Sequence, residues 1–249
     1  MKAMILAAGL GTRLRPLTND RPKALVELNG RTLLEITLTR LRSFGVTEAI
    51  INVHHFADMV VAYLKSKGNF DMRLEISRED DLLLDTGGGL KKAAWFFEDP
   101  AAKMDEPFLL HNVDVISGID FNAMFQFHTE RHALATLAVQ ARESSRQLLF
   151  DNQLQLVGRA EAHSRLATSH SPLPQSVKSS LLPLAFSGIH IISTRILPLI
   201  FETGAFSIID TYIRLASQGE KIQAFRHDSS YWRDLGRPDD LAQAALEWQ

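Results

Sequence analysis

The chain has 249 residues, 27 Lys plus Arg against 29 Asp plus Glu, a formal charge of -2, 45% hydrophobic residues and no cysteine. A chain of this length can bury roughly 70% of its surface without staples, so one domain over residues 1–249 is expected. The balanced charge removes the electrostatic case for a nucleic-acid or anionic-membrane partner. The missing cysteines exclude a disulfide framework, a thiolate zinc site and a cysteine nucleophile, and point to the cytoplasm.

The apolar run Ala3 to Ala8 is too short for an export signal, and the longest uncharged stretch, Ser179 to Thr194, is broken by Pro183, Gly188 and His190. Through the first half, apolar runs alternate with stretches of helical period, the pattern of repeated strand-helix units. Lys2 to Ala7 reads as a first strand. Thr32 to Phe44 sets Leu34, Leu38, Leu41 and Phe44 on one helical stripe stopped by Gly45. Ala49 to Val53 is a second strand, Ala57 to Lys67 a helix closed by Gly68, Met72 to Ile76 a third strand, and Leu90 to Phe97 a short helix before Pro100. Phe108 to Val113 is a fourth strand with Asp114 at its carboxyl end.

In the second half, Leu134 to Ala141 and Leu148 to Val157 read as strands, the latter folded back at Asp151-Asn152. Residues 158–183 turn polar and lose periodicity, which reads as an insertion that is either a mobile flap or an oligomer contact. Ala185 to Ile192 and Ile222 to Phe225 are further strands, Ile208 to Ala216 is a helix, and Asp239 to Trp248 is a closing amphipathic helix. The fold class is α/β, a mostly parallel mixed central sheet flanked by helices.

Ligands of such sheets bind at the carboxyl ends of parallel strands, which directs attention to Ala7-Ala8-Gly9-Leu10-Gly11-Thr12-Arg13-Leu14-Arg15-Pro16 and to Pro22-Lys23. A dinucleotide fingerprint fails because Leu14 stands where a third glycine is needed, and no Gly-Lys-Ser/Thr supplies a Walker A loop. What remains is a turn of small residues whose N–H groups can approach an anion, followed by Arg13, Arg15 and Lys23. That set suits several phosphates at once.

The whole string resembles the signature of sugar-1-phosphate nucleotidyltransferases. The resemblance continues at Asp85-Thr86-Gly87-Gly88-Gly89, Asn112-Val113-Asp114, Phe186-Ser187-Gly188 and Trp232-Arg233-Asp234-Leu235-Gly236. It spans nearly the whole chain and looks closest to the short uridylyltransferases acting on N-acetylmuramate 1-phosphate, with mannose-1-phosphate guanylyltransferases next. It implies a GT-A-like, Rossmann-type sandwich. The implied reaction joins a nucleoside triphosphate to a sugar 1-phosphate and releases pyrophosphate, with UTP and N-acetylmuramate 1-phosphate as the leading pair. The chain lacks the carboxyl-terminal repeat domain that trimerises some larger relatives, which favours a monomer or homodimer. A catalytically silent nucleotide-sugar sensor is the alternative of another class.

The resemblance also implies roles. Mg²⁺ falls to Asp114 and Asp234, since two anionic substrates must be neutralised before in-line attack and Mg²⁺ takes hard oxygen ligands. Arg13 and Lys23 are the catalytic cations, on the β- and γ-phosphates and between the two substrates. Ala8, Gly9, Gly11, Thr12, Arg13, Glu79, Gly87 and Gly88 are expected at the nucleotide, with Glu79 reading an N–H edge of the base. Asp85, Asn112, Ser187, Gly188 and Trp232 are expected at the sugar, Trp232 as a flat wall. Two departures stand out: Val113 where glycine is usual, and Asp85 where glutamate is common. The adjacent His54 and His55 face opposite ways on a strand and cannot easily share one ion, so they are read as structural or sugar-contacting.

Overall fold

A computed structural model describes residues 1–98, 105–160 and 181–248. Its first element is β1 (Lys2–Leu6), followed by a hairpin of β2 (Glu27–Leu28) and β3 (Arg31–Thr32), α1 (Leu33–Ser43), β4 (Glu48–Val53), α2 (Ala57–Ser66), β5 (Arg73–Arg78) and α3 (Asp85–Lys92). Then come β6 (Phe108–Asn112), β7 (Val115–Ser117), α4 (Phe121–Arg131), β8 (Ala135–Gln140), β9 (Gln147–Phe150) and β10 (Leu156–Arg159). Beyond the undescribed stretch lie β11 (Leu182–Ile192), α5 (Ile208–Ser217), β12 (Ile222–Arg226), β13 (Trp232–Asp234) and α6 (Pro238–Glu247).

Nine strands form one sheet in the order β10-β9-β11-β6-β1-β4-β5, with β8 pairing both β11 and β12. β1 is parallel to β4 and β6, β4 to β5, and β12 to β8, whereas β11 runs antiparallel to β6, β8 and β9. The mixed sheet thus matches the expected class. Ala3 and Ile5 of β1 pack on one face with Leu34, Leu38 and Leu41 of α1, Val60 of α2 and Met124 of α4. Met4 packs on the other face with Leu90 of α3 and Tyr212 of α5. A strand buried on both faces needs a continuous apolar run, which is what Lys2 to Ala7 supplied.

Most expected elements recur with boundaries moved by a few residues, and the Leu148 to Val157 hairpin becomes β9 and β10. The expected insertion at 158–183 lies largely outside the described residues. Its flanks are strand: Gly158 and Arg159 end β10, and Leu182 and Pro183 begin β11. α3 starts at Asp85 rather than Leu90, so the glycine triplet is helical instead of loop. α4, β7, β13 and the Asn29-Gly30 hairpin escaped the sequence reading. Asn29 (φ 51°) and Gly30 (φ 77°) are both left-handed, as a two-residue hairpin turn requires.

Candidate active site

β1 and β6 run side by side and end together, with Leu6 opposite Asn112 and the Val113 N–H donating to the Leu6 carbonyl at 3.1 Å. The glycine turn and the Asn112-Val113-Asp114 corner therefore open on the same crevice. The Ala7 N–H is held by the Asn52 Oδ1 at 2.7 Å. Beyond it, the N–H groups of Ala8, Gly9 and Leu10 donate to no other described residue. Gly11 then turns left-handed, its carbonyl accepting from the Leu14 N–H at 2.9 Å and the Thr18 hydroxyl at 2.8 Å. Thr12 and Arg13 project from the short helical turn that follows, exposed.

Asp114 and Asp234 lie far apart in sequence, and a two-stranded ribbon joins them. β13 pairs antiparallel with β7, setting Asp234 opposite Val115, and the Leu235 N–H donates to the Asp114 carbonyl at 2.8 Å. The register places both carboxylates at one end of the ribbon. α6 holds β13 from behind, because Arg233 grips both carboxylate oxygens of Glu247 at 2.9 and 2.8 Å. Asn29 of the hairpin turn in its place donates to the carbonyls of Ala245 and Trp248 at 3.0 Å, where the helix end would otherwise leave them bare.

Cations meet this pair from two sides. Lys23, buried below Pro22, donates from Nζ to the Asp114 carboxylate. Arg13 approaches Asp234 to 4.0 Å from the solvent side. Burial and then the charge of Asp114 push the Asp234 carboxyl above the usual carboxylate range, against the opposing pull of Lys23, the Gly236 N–H and Arg13. The Gly236 N–H donates to Asp234 Oδ1 at 2.7 Å. A side chain at Gly236 would lie 2.5 Å from the Arg13 guanidinium and 2.7 Å from that oxygen, so only glycine leaves both groups their places.

Five of the other expected residues are engaged within the protein itself. Glu79 is 1% exposed and accepts from Asn52 Nδ2 at 2.7 Å and from the Leu84 N–H at 2.8 Å. Through Asn52 it braces Ala7 at the mouth of the glycine turn. Gly87 and Gly88 turn their N–H groups to the Phe206 carbonyl at 2.9 and 3.4 Å. A Cβ at Gly87 would stand 2.3 Å from the Phe206 ring, and one at Gly88 2.5 Å from the Gly204 carbonyl. Helix packing against 204–206 accounts for both glycines. Ser187 is fully buried with its hydroxyl 2.8 Å from His227 Nε2, so its side chain does not face a sugar. Trp232 is no bare wall, for the Arg142 guanidinium lies 3.7 Å over its ring.

Asn112 and Gly188 do come together. Gly188 (φ 74°) sits in the bulge of β11 between Phe186 and His190, and a side chain there would meet the Asn112 amide at 2.8 Å. Asp85 is exposed at the start of α3, accepting from the Thr86 N–H at 2.6 Å. His54 Nδ1 meets the Glu79 carbonyl, while His55 lies exposed against the Phe56 ring. Both lie beyond the end of β4 at Val53, so their different contacts come from the loop and not from strand alternation. Arg142 was missed because no motif marks it, and only its contacts with Trp232 and the Phe186 carbonyl single it out.

The comparisons bear on this arrangement. The nucleotidyl transferase family model matches residues 2–148. N-acetylmuramate alpha-1-phosphate uridylyltransferase of Caulobacter vibrioides is 35% identical over 243 residues, covering 95% of this chain and 92% of that protein. The chain belongs to the nucleotidyl transferase family, and within it to the sugar-1-phosphate nucleotidyltransferases. Mannose-1-phosphate guanyltransferase of Aspergillus fumigatus is 30% identical across 97% of this chain, which spans 62% of that longer protein. Among solved structures, HddC from Yersinia pseudotuberculosis complexed with GMP-PN superposes with a TM-score of 0.77 at 20% identity, covering 100% of this chain and 99% of that one. That likeness speaks for the shared fold. Among the described residues, no helix of this transferase is long and apolar enough to cross a membrane.

Proposed function

We propose that this transferase moves a uridylyl group from UTP to N-acetylmuramate 1-phosphate. A phosphate oxygen of the sugar 1-phosphate attacks the α-phosphorus, the bond to the bridging α–β oxygen breaks, and pyrophosphate leaves with the electron pair. The observation that supports this chemistry best is the convergence of Lys23 and Arg13 on the Asp114–Asp234 pair. The choice of substrates rests on similarity along nearly the full length of both chains to the Caulobacter protein. Mannose-1-phosphate guanylyl transfer is the second reading, favoured by the 30% identity to the Aspergillus protein. A silent sensor would have no use for two cations and two carboxylates in one crevice.

No general base is required, because a phosphomonoester with a second pKa near 6 is already mostly dianionic at neutral pH. The protein's task is positioning and charge balance. Arg13, exposed at the mouth of the glycine turn, binds the β- and γ-phosphates. The N–H groups of Ala8, Gly9 and Leu10 point a cradle of partial positive charge at the same region. Lys23 lies deeper and meets the oxygens that change charge during attack. Asn112 beside Gly188, and Asp85 at the rim, contact the sugar. Glu79 acts behind the nucleotide, holding the turn through Asn52.

The pair Asp114 and Asp234 fits Mg²⁺. Two hard carboxylates face one buried ammonium, and burial together with the charge of Asp114 raises the Asp234 carboxyl. Among the described residues no group of three or more His, Asp or Glu forms a fuller cage. Substrate oxygens and water would complete the shell, as is usual for this ion. Bound there, Mg²⁺ would neutralise triphosphate charge. The proposal further takes the enzyme as cytoplasmic and as a monomer or homodimer. Pyrophosphate release measured with four triphosphates against a panel of sugar 1-phosphates tests it. UTP with N-acetylmuramate 1-phosphate should give the highest kcat/KM, and a higher value for GTP with mannose 1-phosphate would replace the assignment.

A further inference from the structure

Arg142 follows β8 and is half-buried, an unusual position for a guanidinium with no carboxylate partner among the described residues. One Nη donates to the Phe186 carbonyl at 2.8 Å, immediately before the Ser187-Gly188 bulge. The guanidinium carbon lies 3.7 Å from the centre of the Trp232 ring, and the Trp232 indole N–H is held by the Ser187 carbonyl at 2.8 Å. Bulge, tryptophan and arginine therefore form one braced unit. The Nε of Arg142 is buried and has no hydrogen-bond partner among the described residues.

A buried, unpaired donor costs roughly 1–3 kcal/mol, and a charged one more, so such groups call for an explanation. Packing alone does not provide it, because a neutral side chain would stack on Trp232 without the cost of desolvating a cation. Trp232 and Asp234 are two residues apart on β13, so their side chains leave the ribbon on one face. The guanidinium thus stands on the Asp234 side of the ribbon, next to the bulge that holds Gly188. Burial lowers the Arg142 pKa while the charge of Asp234 raises it, which is consistent with that nearness. A planar fork stacked on an aromatic ring is pre-organised for an oxyanion.

We propose that Arg142 binds an anionic group of the sugar 1-phosphate and so selects for charge in the acceptor substrate. The inference rests on the transfer reaction proposed above. Two sources share the chemistry: the anomeric phosphate, or a carboxylate borne by the sugar itself. Arg13 and Lys23 serve the triphosphate and the reacting centre, whereas Arg142 is bonded to the Phe186 carbonyl next to the Gly188 bulge.

Equilibrium binding by calorimetry in the presence of Mg²⁺, on wild type, Arg142→Met and Arg142→Lys, tests it. The probes are N-acetylmuramate 1-phosphate, N-acetylglucosamine 1-phosphate, free N-acetylmuramate and UTP, with thermal unfolding of each variant as a control. Losing a charge-assisted contact should weaken N-acetylmuramate 1-phosphate binding by roughly ten- to a hundredfold in Arg142→Met. Arg142→Lys should fall between, and UTP affinity should stay within about twofold. Weakening of both 1-phosphates assigns the phosphate. Weakening confined to the two muramate ligands assigns the carboxylate. Unchanged sugar affinities, or a parallel loss of UTP binding with a lowered melting temperature, would overturn the inference. Wild type that binds these sugars but releases no pyrophosphate would instead overturn the transfer reaction and leave the binding result standing.

Discussion

Lys23 donates to the Asp114 carboxylate across 91 residues of chain, and both side chains are largely shielded from water. The ammonium thus occupies part of the space between the carboxylates and carries part of the charge that a bound cation would carry. Removing one partner of such a pair leaves the other desolvated, which costs more than the pair itself contributes. Lys23→Met should lower the unfolding free energy by about 2–3 kcal/mol and nearly abolish turnover. Adding Asp114→Asn to it should restore much of the stability but none of the activity. Urea unfolding of the two single variants and the double variant measures this coupling; strictly additive losses would show that the pair is too solvated to matter.

Asp234→Asn should act on the reaction with little effect on the fold. Among the described residues its Oδ1 accepts only from the Gly236 N–H, a bond the amide oxygen can keep. Loss of one anionic ligand should cut kcat/KM by about 10² or more and raise the Mg²⁺ concentration needed for half-maximal rate. A Mg²⁺ titration of pyrophosphate release reads this. A half-saturation point matching the wild type would remove Asp234 from the metal site.

Glu79→Gln separates bracing from base reading. The buried carboxylate takes one bond from Asn52 and one from the Leu84 N–H, and a Gln amide can replace only one of those acceptors. Stability should fall by about 1–3 kcal/mol, and KM should rise by a similar factor for all four triphosphates as the Ala7 anchor loosens. A change in the ratio of kcat/KM among triphosphates would instead make Glu79 a reader of the base.

Gly236→Ala should impair catalysis more than folding. Its added methyl would press on Arg13 and Asp234 at 2.5 and 2.7 Å, and the exposed arginine end is free to move away. A loss of at least tenfold in kcat/KM with a melting temperature lowered by only a few degrees is the expected result. Steady-state kinetics beside a thermal scan check both halves.

The pH dependence of stability should come from histidines in the core. Burial lowers the His128 pKa to about 4, and burial followed by His111 lowers that of His190 to about 3. Both lie below the unfolded value near 6.5, so the stabilisation from neutral rings is complete above about 6.5 and is lost as pH falls toward 4. At pH 5 each ring should cost about 2 kcal/mol relative to pH 7.5. Urea midpoints at the two pH values test this. His190→Phe, which leaves the Tyr212 hydroxyl unpaired, should be less stable at pH 7.5 but lose less on acidification.

What could be read from residues alone follows from how physical information lies along a chain. The stripe Leu34, Leu38, Leu41 and the stop at Gly45 announce α1 because each signal is local. The two aspartates and two cations of the crevice were legible through motif resemblance, and their convergence through β7 and β13 was not, because three-residue strands have no periodicity to detect. α4 was passed over since its buried positions are Phe121, Met124 and His128, a narrow stripe that includes a polar ring. The packing role of Gly87 and Gly88 was hidden for an opposite reason. Glycine lowers helix propensity, yet the close approach of residues 204–206 demands it, and that neighbour is more than a hundred residues away. Arg142 has no local mark at all.

The ribbon of β7 and β13 makes competence a late event in the life of the chain. During synthesis the glycine turn, Lys23 and Asp114 all emerge while the strand that brings Asp234 to them is still untranslated. A nascent sheet can bury its first core early, but it holds only half of the carboxylate pair. Because Arg233 fastens β13 to Glu247, the last helix acts as the closing latch. A chain cut short by as few as a dozen residues would keep most of its core and yet lose the helix that fastens β13, leaving the carboxylate pair unfinished.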